Sequence, residues 1–385
     1  MLPLRNLKRF LSKALKQPGY ALGVFCRRLG ANFSYALEDG LSGPPESVTL
    51  FLTHRCNLRC KMCGQWGEAG VTRKESGQTL KEELPLEQYK KLLDDLAVAG
   101  RPSITIFGGE PLLYPVCLDL VRYIKSKKMH CLMITNGSLL ADVASSLVES
   151  GLDELNISLD GDALLHDQIR GLPGLFQRIM DGIKKVNAHK VLLKRTKPLI
   201  NLQCTINRDN YRHLEQMLLV ADQARADSLT FHNLIFLDRA ALESQKAFDH
   251  VLGASSKEWE GFVFEPGIEP DILEEKRAQI LSRPHTFSID FYPNFNKNEL
   301  KKYYHDSCYQ PPGGNCRCLS PWLVAYVFPD GQVRPCLNSG YSFGNIKEEK
   351  FVRIWNNEKA RKFREILRSN KIFPVCSRCT ELYRY

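Results

Sequence analysis

The sequence predicts an α/β protein: a partial (β/α)6 TIM-like barrel followed by a small β-hairpin/helix unit rich in cysteine. Two observations point there. Between residues 48 and 236, six short β-branched runs alternate with amphipathic stretches. The cysteine-bearing and polar motifs of that region fall where the runs end, and a second set of cysteines is crowded into residues 308–385.

The elements follow in order. "VTLFLT" (48–53) is an apolar strand, and "PLEQYKKLLDDLAVAG" (85–100) is a helix with Pro near its start and Gly after its end. Next come "SITIF" (103–107), a helix over 115–127, "HCLMIT" (130–135) and a helix over 139–149. "ELNISL" (154–159), a helix over 174–189, "LINLQCTI" (199–206), a helix over 210–224 and "SLTFHNLIF" (228–236) complete the series. Short strands separated by helices imply a parallel sheet with right-handed crossovers. In a barrel of that kind, chemistry gathers at the C-terminal strand ends. Cys56 follows the first strand, Gly108-Gly109-Glu110 the second and Asn136-Gly137 the third. Ser158 and Asp160 end the fourth, and Asn207 ends the fifth.

Four units are expected: a basic amphipathic lead (1–45), the barrel (46–236), a linker with one or two helices (237–307) and the cysteine-rich unit (308–385). With 43% hydrophobic and 25% charged residues, the composition is that of a globular protein. No apolar run approaches the roughly 20 residues of a membrane span. Net charge is +10, but residues 1–30 hold seven basic residues and no acid, so the remainder is nearly balanced. A nucleic-acid binder would be basic more evenly, so no nucleic-acid partner is expected. Leu7, Phe10, Leu11 and Leu15 fall at helical spacing among Lys8, Arg9, Lys13 and Lys16. Three readings are open: a helix packed on the main domain, peripheral contact with an anionic membrane through residues 1–30, or a transit segment. The 13 cysteines cluster, and no secretory signal precedes them. This favours metal ligation in a reducing compartment, hence a cytoplasmic location, with membrane association as a variant of it.

"HRCNLRCKMCGQW" (54–66) places Cys56, Cys60 and Cys63 in C-x3-C-x2-C spacing. Thiolates are soft ligands that select zinc, copper(I) or iron–sulfur clusters. Three of them can hold three irons of a [4Fe–4S] cube and leave the fourth open, as an open position marks catalytic zinc. This loop, with Met62 before the third cysteine, resembles the radical S-adenosylmethionine (SAM) enzymes. The resemblance implies that the open iron chelates SAM and that one electron cleaves it to a 5′-deoxyadenosyl radical, which takes hydrogen from a substrate. "FGGEP" (107–111) resembles the family's GGE motif. Gly108 and Gly109 would let backbone approach a ligand, and Glu110 would accept hydrogen bonds from the SAM ammonium. A plain strand-to-helix turn is the alternative. "ITNGS" (134–138) and "NISLDG" (156–161) resemble SAM-binding strand ends, so Asn136, Ser158 and Arg170 join the expected cofactor contacts. Asn136 and Asp160 also suit turn-capping roles. Gln203, Thr205, Asn207 and His232 are candidate substrate contacts, or satisfied core residues.

The tail carries Cys318, Cys336, Cys376 and Cys379 on a hairpin around Asp330-Gly331 and a C-x2-C turn. Its order of elements resembles the four-cysteine form of the SPASM, or twitch, domain. That implies a second, auxiliary [4Fe–4S] cluster, closed by four thiolates. Zinc on the same thiolates is the alternative, and Cys308 or Cys316 could replace Cys318. Cys26, Cys117, Cys131 and Cys204 read as small core residues.

The combination implies oxidation or dehydrogenation of a small-molecule or lipid-linked sugar-like substrate, with the auxiliary cluster as electron acceptor or relay. A low-potential donor such as flavodoxin or ferredoxin would supply the electron. The alternatives are a peptide-modifying enzyme and a non-catalytic iron–sulfur or zinc scaffold. The lack of an extension before the barrel long enough for a leader-binding domain tilts the expectation toward the small molecule. No catalytic residue or general base is assigned.

Overall fold

The computed structural model describes residues 18–307, 309–311 and 316–385, with side chains from residue 22 onward. The expected helix around Leu7–Leu15 and the candidate ligand Cys308 lie outside the described residues.

Ten strands form one sheet. They are β1 (Ser47–Phe51), β2 (Ser103–Phe107), β3 (Cys131–Thr135), β4 (Glu154–Ser158), β5 (Leu199–Thr205), β6 (Ser228–His232), β7 (Ser288–Tyr292), β8 (Val324–Val327), β9 (Gln332–Arg334) and β10 (Gly344–Asn345). Their order is β10-β9-β8-β1-β2-β3-β4-β5-β6-β7. Every pairing from β1 to β7 is parallel, as is β1 with β8, whereas β8–β9 and β9–β10 are antiparallel. The two ends of this order do not pair with each other, so the barrel is partial. Residues alternate along each strand. Leu155 and Ile157 of β4, with Ile200, Leu202 and Cys204 of β5, are fully buried in the core. Glu154, Asn156 and Ser158 on the other face stay partly open. That polar face lines the concave side of the sheet.

The helices follow the sequence pattern with local changes. The stretch read as a helix from 210 is helical only over Gln216–Ala224. Asparagines hold the preceding turn: Asn207 N donates to Asn210 Oδ1, and Asp209 N to Asn207 Oδ1. These side chains give the backbone a competing partner. The helix Ala163–Arg170 was not expected. Asp162 caps its start, accepting from Leu165 N, and Gly171 ends it at φ 74°. Within residues 351–370 the chain forms two helices, Phe351–Ile354 and Glu358–Asn370, divided where Asn357 caps the second.

Residues 237–307 are more than a linker. They hold helices Arg239–Leu252, Pro270–Leu281 and Lys297–His305, and also β7, a seventh parallel strand paired with β6. Ser288 and Asp290 interrupt the apolar character of "SIDFY", which hid the strand. The sixth strand is correspondingly shorter than expected and ends at His232.

The C-terminal hairpin, β8 and β9, is built into the same sheet. Arginines clasp the Pro18–Ala36 helix and the segment after it to the C-terminal segment: Arg368 Nε donates to Tyr35 O at 2.9 Å and Arg28 to Arg384 O at 3.4 Å. Arg364 is fully buried and donates to the carbonyls of Pro321, Gly40 and Trp355 at 2.8–3.0 Å. Its guanidinium also lies 4.4 Å over the Trp355 ring. Arg28 pairs with Glu46 through two hydrogen bonds of 2.8 and 3.0 Å.

Arg364→Met should destabilise the protein by about 3 kcal/mol or more, because several buried carbonyls lose their donor at once. A fall of that size in the urea midpoint checks it, and an unchanged midpoint would show that the clasp is dispensable.

Candidate active site

The site is built on the loops leaving β1 and β2. These loops are zipped by backbone hydrogen bonds: Leu52 N to Phe107 O at 2.9 Å, Gly109 N to Thr53 O and Glu110 N to Arg55 O, both at 2.8 Å. The zipper explains the two glycines. A Cβ on Gly109 would sit 2.2 Å from the Arg55 carbonyl oxygen, and one on Gly108 would sit 2.8 Å from that of Thr53. The backbone that Gly108 and Gly109 approach in this structure is therefore the cysteine loop of the chain itself.

Within the loop, Cys63 N donates to Cys60 O at 3.1 Å and Gly67 N to Cys63 O at 2.8 Å. Trp66 locks the turn: its Nε1 donates to His54 O at 2.9 Å, and Arg59 stacks over its ring at 4.1 Å. Gly64 and Gly261 meet without room for side chains, since a Cβ on Gly261 would lie 2.0 Å from Gly64 O. The loop is thus clamped by the segment that follows β6.

Each of the three sulfurs accepts at least one N–H. Asn136 Nδ2 lies 3.9 Å from Cys56 Sγ, Arg170 donates from 3.7 Å to Cys60 Sγ, and Trp66 N donates from 3.4 Å to Cys63 Sγ. Burial pushes the Cys56 thiol up to about 11 and raises Cys60, with Arg170 acting against the latter shift. Unliganded, these groups hold their protons, whereas a coordinating metal removes a thiol proton outright. Soft sulfurs, three in number and each supplied with a donor, fit a [4Fe–4S] cluster whose potential such hydrogen bonds tune.

Around them, two buried carboxylates organise the rim. Glu110 is fully buried at the end of β2. Its Oε1 accepts from Leu112 N (3.1 Å) and Thr135 Oγ1 (2.7 Å), and its Oε2 accepts from Asn136 N (2.8 Å). It thus holds Asn136 in place. Burial outweighs these donors and pushes its carboxyl up to about 7. Asp160 is fully buried beyond β4. It accepts from Arg170 Nε at 2.6 Å and from Thr205 N at 2.9 Å, and so aims Arg170 at Cys60. His166 accepts from Asp160 N at 3.1 Å, and burial lowers its pKa to about 3, so it stays neutral. Ser158 ends β4 opposite Gln203 of β5 on the same concave face.

The structure gathers Cys56, Cys60, Cys63, Gly108, Gly109, Glu110, Asn136 and Arg170 at one rim. It also adds residues that the sequence reading passed over. Asn57 Nδ2 donates to Ser138 Oγ at 2.8 Å, and Asn57 Oδ1 accepts from Asn136 at 2.9 Å. Thr135 and His166 support the two carboxylates. Only the position of these residues beside recognised motifs could have drawn attention to them.

The second thiol group lies beside β8 and β9. Cys318, Cys336, Cys376 and Cys379 are partly buried; Cys318 feels the charge of the other three, and Cys379 that of Cys376 and Cys336. Burial pushes Cys336 up to about 12 and Cys376 to about 11. Cys379 N donates to Cys376 O at 3.0 Å, the hydrogen bond of the C-x2-C turn. Arg378 within that turn donates to Tyr303 O at 2.9 Å and stacks 4.2 Å over Phe236. Cys316 also lies within electrostatic reach of Cys376. Among the described residues, no three Cys, His, Asp or Glu side chains close around a single ion. Cys117, Cys131 and Cys204 are buried core residues as expected, but Cys26 is exposed, because it sits on the outward side of the Pro18–Ala36 helix.

A sheet of this topology, with a three-thiol loop at the first strand end and four more thiols beyond it, defines an iron–sulfur protein of the radical type. Two family models agree: the radical SAM superfamily over residues 50–218 and the iron–sulfur cluster-binding SPASM domain over residues 316–380. The chain belongs to the radical SAM superfamily and carries a C-terminal SPASM domain, and its cofactors are SAM, a [4Fe–4S] cluster and auxiliary iron–sulfur. It is 26% identical over 346 residues to an AdoMet-dependent heme synthase of Methanosarcina barkeri, covering 88% of this chain and 89% of that one. It is 27% identical to the sporulation killing factor maturation protein SkfB of Bacillus subtilis, covering 80% and 64% of the two chains. SuiB of Streptococcus suis, bound to its precursor peptide SuiA, shares the fold with a TM-score of 0.59 at 13% identity, over 91% of this chain and 74% of that one.

Cys60→Ala should abolish formation of 5′-deoxyadenosine from SAM under strong reductant, as read by chromatography, and retained cleavage would overturn the role of the loop. With Glu110 as the proposed partner of the SAM ammonium, SAM affinity should weaken as pH falls through about 7, where its carboxyl would take up a proton. Glu110→Gln should flatten that profile, and a profile unchanged by the substitution would remove Glu110 from the SAM contacts.

Proposed function

We propose that this enzyme oxidises a hydroxylated, sugar-like substrate, small or lipid-linked, by hydrogen abstraction followed by loss of a proton and an electron. When bound, SAM and its cluster supply the abstracting radical and the auxiliary cluster accepts the electron.

The observation that carries this reading is the chemistry of the concave face. Apart from Glu154 and Asp290, it is lined by uncharged donors and acceptors. Its lower layer is self-satisfied: Asn201 Nδ2 donates to Asn156 Oδ1 at 3.0 Å, and Ser228 Oγ donates to Asn201 Oδ1 at 2.7 Å. Its upper layer holds Ser158, Gln203 and His232. The cations near the rim already have partners: Arg55 with Glu83, Lys61 with Asp209, Arg170 with Asp160, Arg334 with Glu258. A polycarboxylate would ask for unpaired cations, whereas hydroxyl groups suit amides, serine and imidazole.

His232 is the residue best placed to take the proton. Its Nε2 is hydrogen-bonded to Gln203 Oε1, and its ring meets Tyr292 edge-on at 6.0 Å. Tyr292 OH in turn donates to Thr380 O at 2.7 Å, the residue after the auxiliary thiol Cys379. A path of contacts therefore runs from the concave face to the auxiliary site. In the oxidation, the substrate would lose a hydrogen atom from carbon and a hydroxyl proton to His232 Nδ1, since Nε2 is engaged by Gln203 Oε1, leaving a carbonyl; Cys318, Cys336, Cys376 and Cys379 would hold the group that takes the electron.

A peptide substrate is the second reading. The likeness to SkfB and to peptide-bound SuiB supports it.

Anaerobic reconstitution should load about eight irons per chain, four in each cluster. Cys376→Ala should keep part of the SAM cleavage while blocking product, and normal turnover would remove the auxiliary site from the reaction. His232→Asn should lower product at least about 100-fold with SAM cleavage retained. Product unchanged in that variant would sink the assignment, and a modified residue in a peptide, found by mass spectrometry, would favour the second reading.

A further inference from the structure

The Pro18–Ala36 helix has two unlike sides. One side is anchored: Val24, Ala31 and Tyr35 are buried, Tyr35 packs 5.0 Å from Trp322, and Arg28 is tied to Glu46. The other side carries Leu22, Phe25, Leu29 and Phe33, which are 65%, 40%, 56% and 67% exposed. Leu37 and Leu41 extend the strip past the helix end at 54% and 40%. Positions 22, 25, 29 and 33 fall at helical spacing, so these side chains form one stripe. Apart from the short run Val191, Leu192 and Leu193 at a helix end, the other large exposed apolar residues, such as Val98, Leu164 and Leu219, are scattered. A continuous exposed apolar strip marks an interaction surface.

Charge selects the partner. The first acidic residue of the chain is Glu38, whereas Arg5, Lys8, Arg9, Lys13, Lys16, Arg27 and Arg28 precede it. The apolar spacing also continues upstream in the sequence, through Leu15, Leu11, Leu7 and Leu4. Apolar residues in helical register, basic residues between them and no acid are the features that bind an anionic bilayer surface. A second copy of this face would bring like charge against like charge. We propose that the exposed stripe from Leu22 to Phe33, continued by Leu37 and Leu41, docks the enzyme on an anionic membrane surface.

The docking surface lies away from the catalytic rim. Its anchors, Glu46 and Gly100, which accepts from Arg27, precede β1 and β2, and the thiols follow them. Membrane contact therefore leaves the rim open, and the inference does not depend on the substrate reading above.

The test is co-sedimentation of the full-length, reconstituted protein with phosphatidylcholine vesicles, with and without phosphatidylglycerol. Binding to the anionic vesicles only, weakened by salt, is expected. Leu29→Ser with Phe33→Ser should lower that binding at least about tenfold and leave SAM cleavage unchanged. Should that double variant misfold by circular dichroism, Lys13→Glu with Lys16→Glu is expected to give a comparable loss. Equal binding by wild type and variants, or no binding to either vesicle, overturns the proposal. A dimer in light scattering that the stripe variant dissociates, without vesicle binding, assigns the stripe to a second copy and also overturns it.

Discussion

Strand β1 is hydrogen-bonded along both edges, to β2 on one side and β8 on the other, and both pairings are parallel. The rest of the site depends on that double pairing. Through β2 it aligns the glycine pair with the cysteine loop. Through β8 it fixes the hairpin that leads to Cys336. The two thiol groups are therefore held by one continuous hydrogen-bonded sheet. A hinge between them would let the distance between two redox centres drift, and electron transfer between centres is sensitive to that distance. Val48 and Leu50, fully buried on the helix-facing side of β1, secure the strand against the helices.

Charge is the second constraint. The rim buries Glu110 and Asp160 completely, beside three thiols that would become anionic on metal binding. Each buried carboxylate meets its desolvation cost differently. Asp160 does so with a full partner, Arg170, plus a backbone N–H. Glu110 has three neutral donors and no cation, and its carboxyl is pushed up toward neutrality. The contrast is functional in form. Asp160 is committed within the protein and sets the direction of Arg170 toward Cys60. Glu110 retains demand for a positive partner, which a bound ammonium group would satisfy.

Much of this was legible in the sequence because the signals were local. The C-x3-C-x2-C loop, the Gly108-Gly109-Glu110 turn and the strand–helix alternation each occupy a few residues with strong constraints on type. What stayed hidden was non-local. Residues 288–292 became a strand only because β6 offers a parallel edge, and Asp290 and Ser288 disguise it by facing the concave side. Gly109 looked like a ligand approach because its real neighbour, the Arg55 carbonyl, is 54 positions away in the chain. Asn57 carries no signal by itself, since its role comes from Asn136 and Ser138, brought beside it by β3. The Ala163–Arg170 helix was written in its caps, Asp162 and Gly171, but it is too short for a periodic pattern to reveal it.

The polar face between the two thiol groups ties these constraints to substrate choice. Its lower layer, around Asn156, Asn201 and Ser228, spends its hydrogen bonds internally, so it acts as a floor and not as a binding surface. On the proposed reading, selectivity is left to the upper layer and the loops above it. There Gln203 and His232 already satisfy each other, so a substrate that engages either must replace that contact with an equally good one. Hydroxyl groups can both donate and accept, and they can enter such a pair without leaving a buried polar atom unmatched. An apolar substrate of the same size would break the pair and return nothing. The same logic separates this face from the aromatic corner formed by Phe51, Phe107 and Phe328, where Phe51 stacks 5.2 Å from Phe328. That corner is closed, with Phe51 and Phe328 buried, so on the proposed reading discrimination falls to the polar upper layer alone.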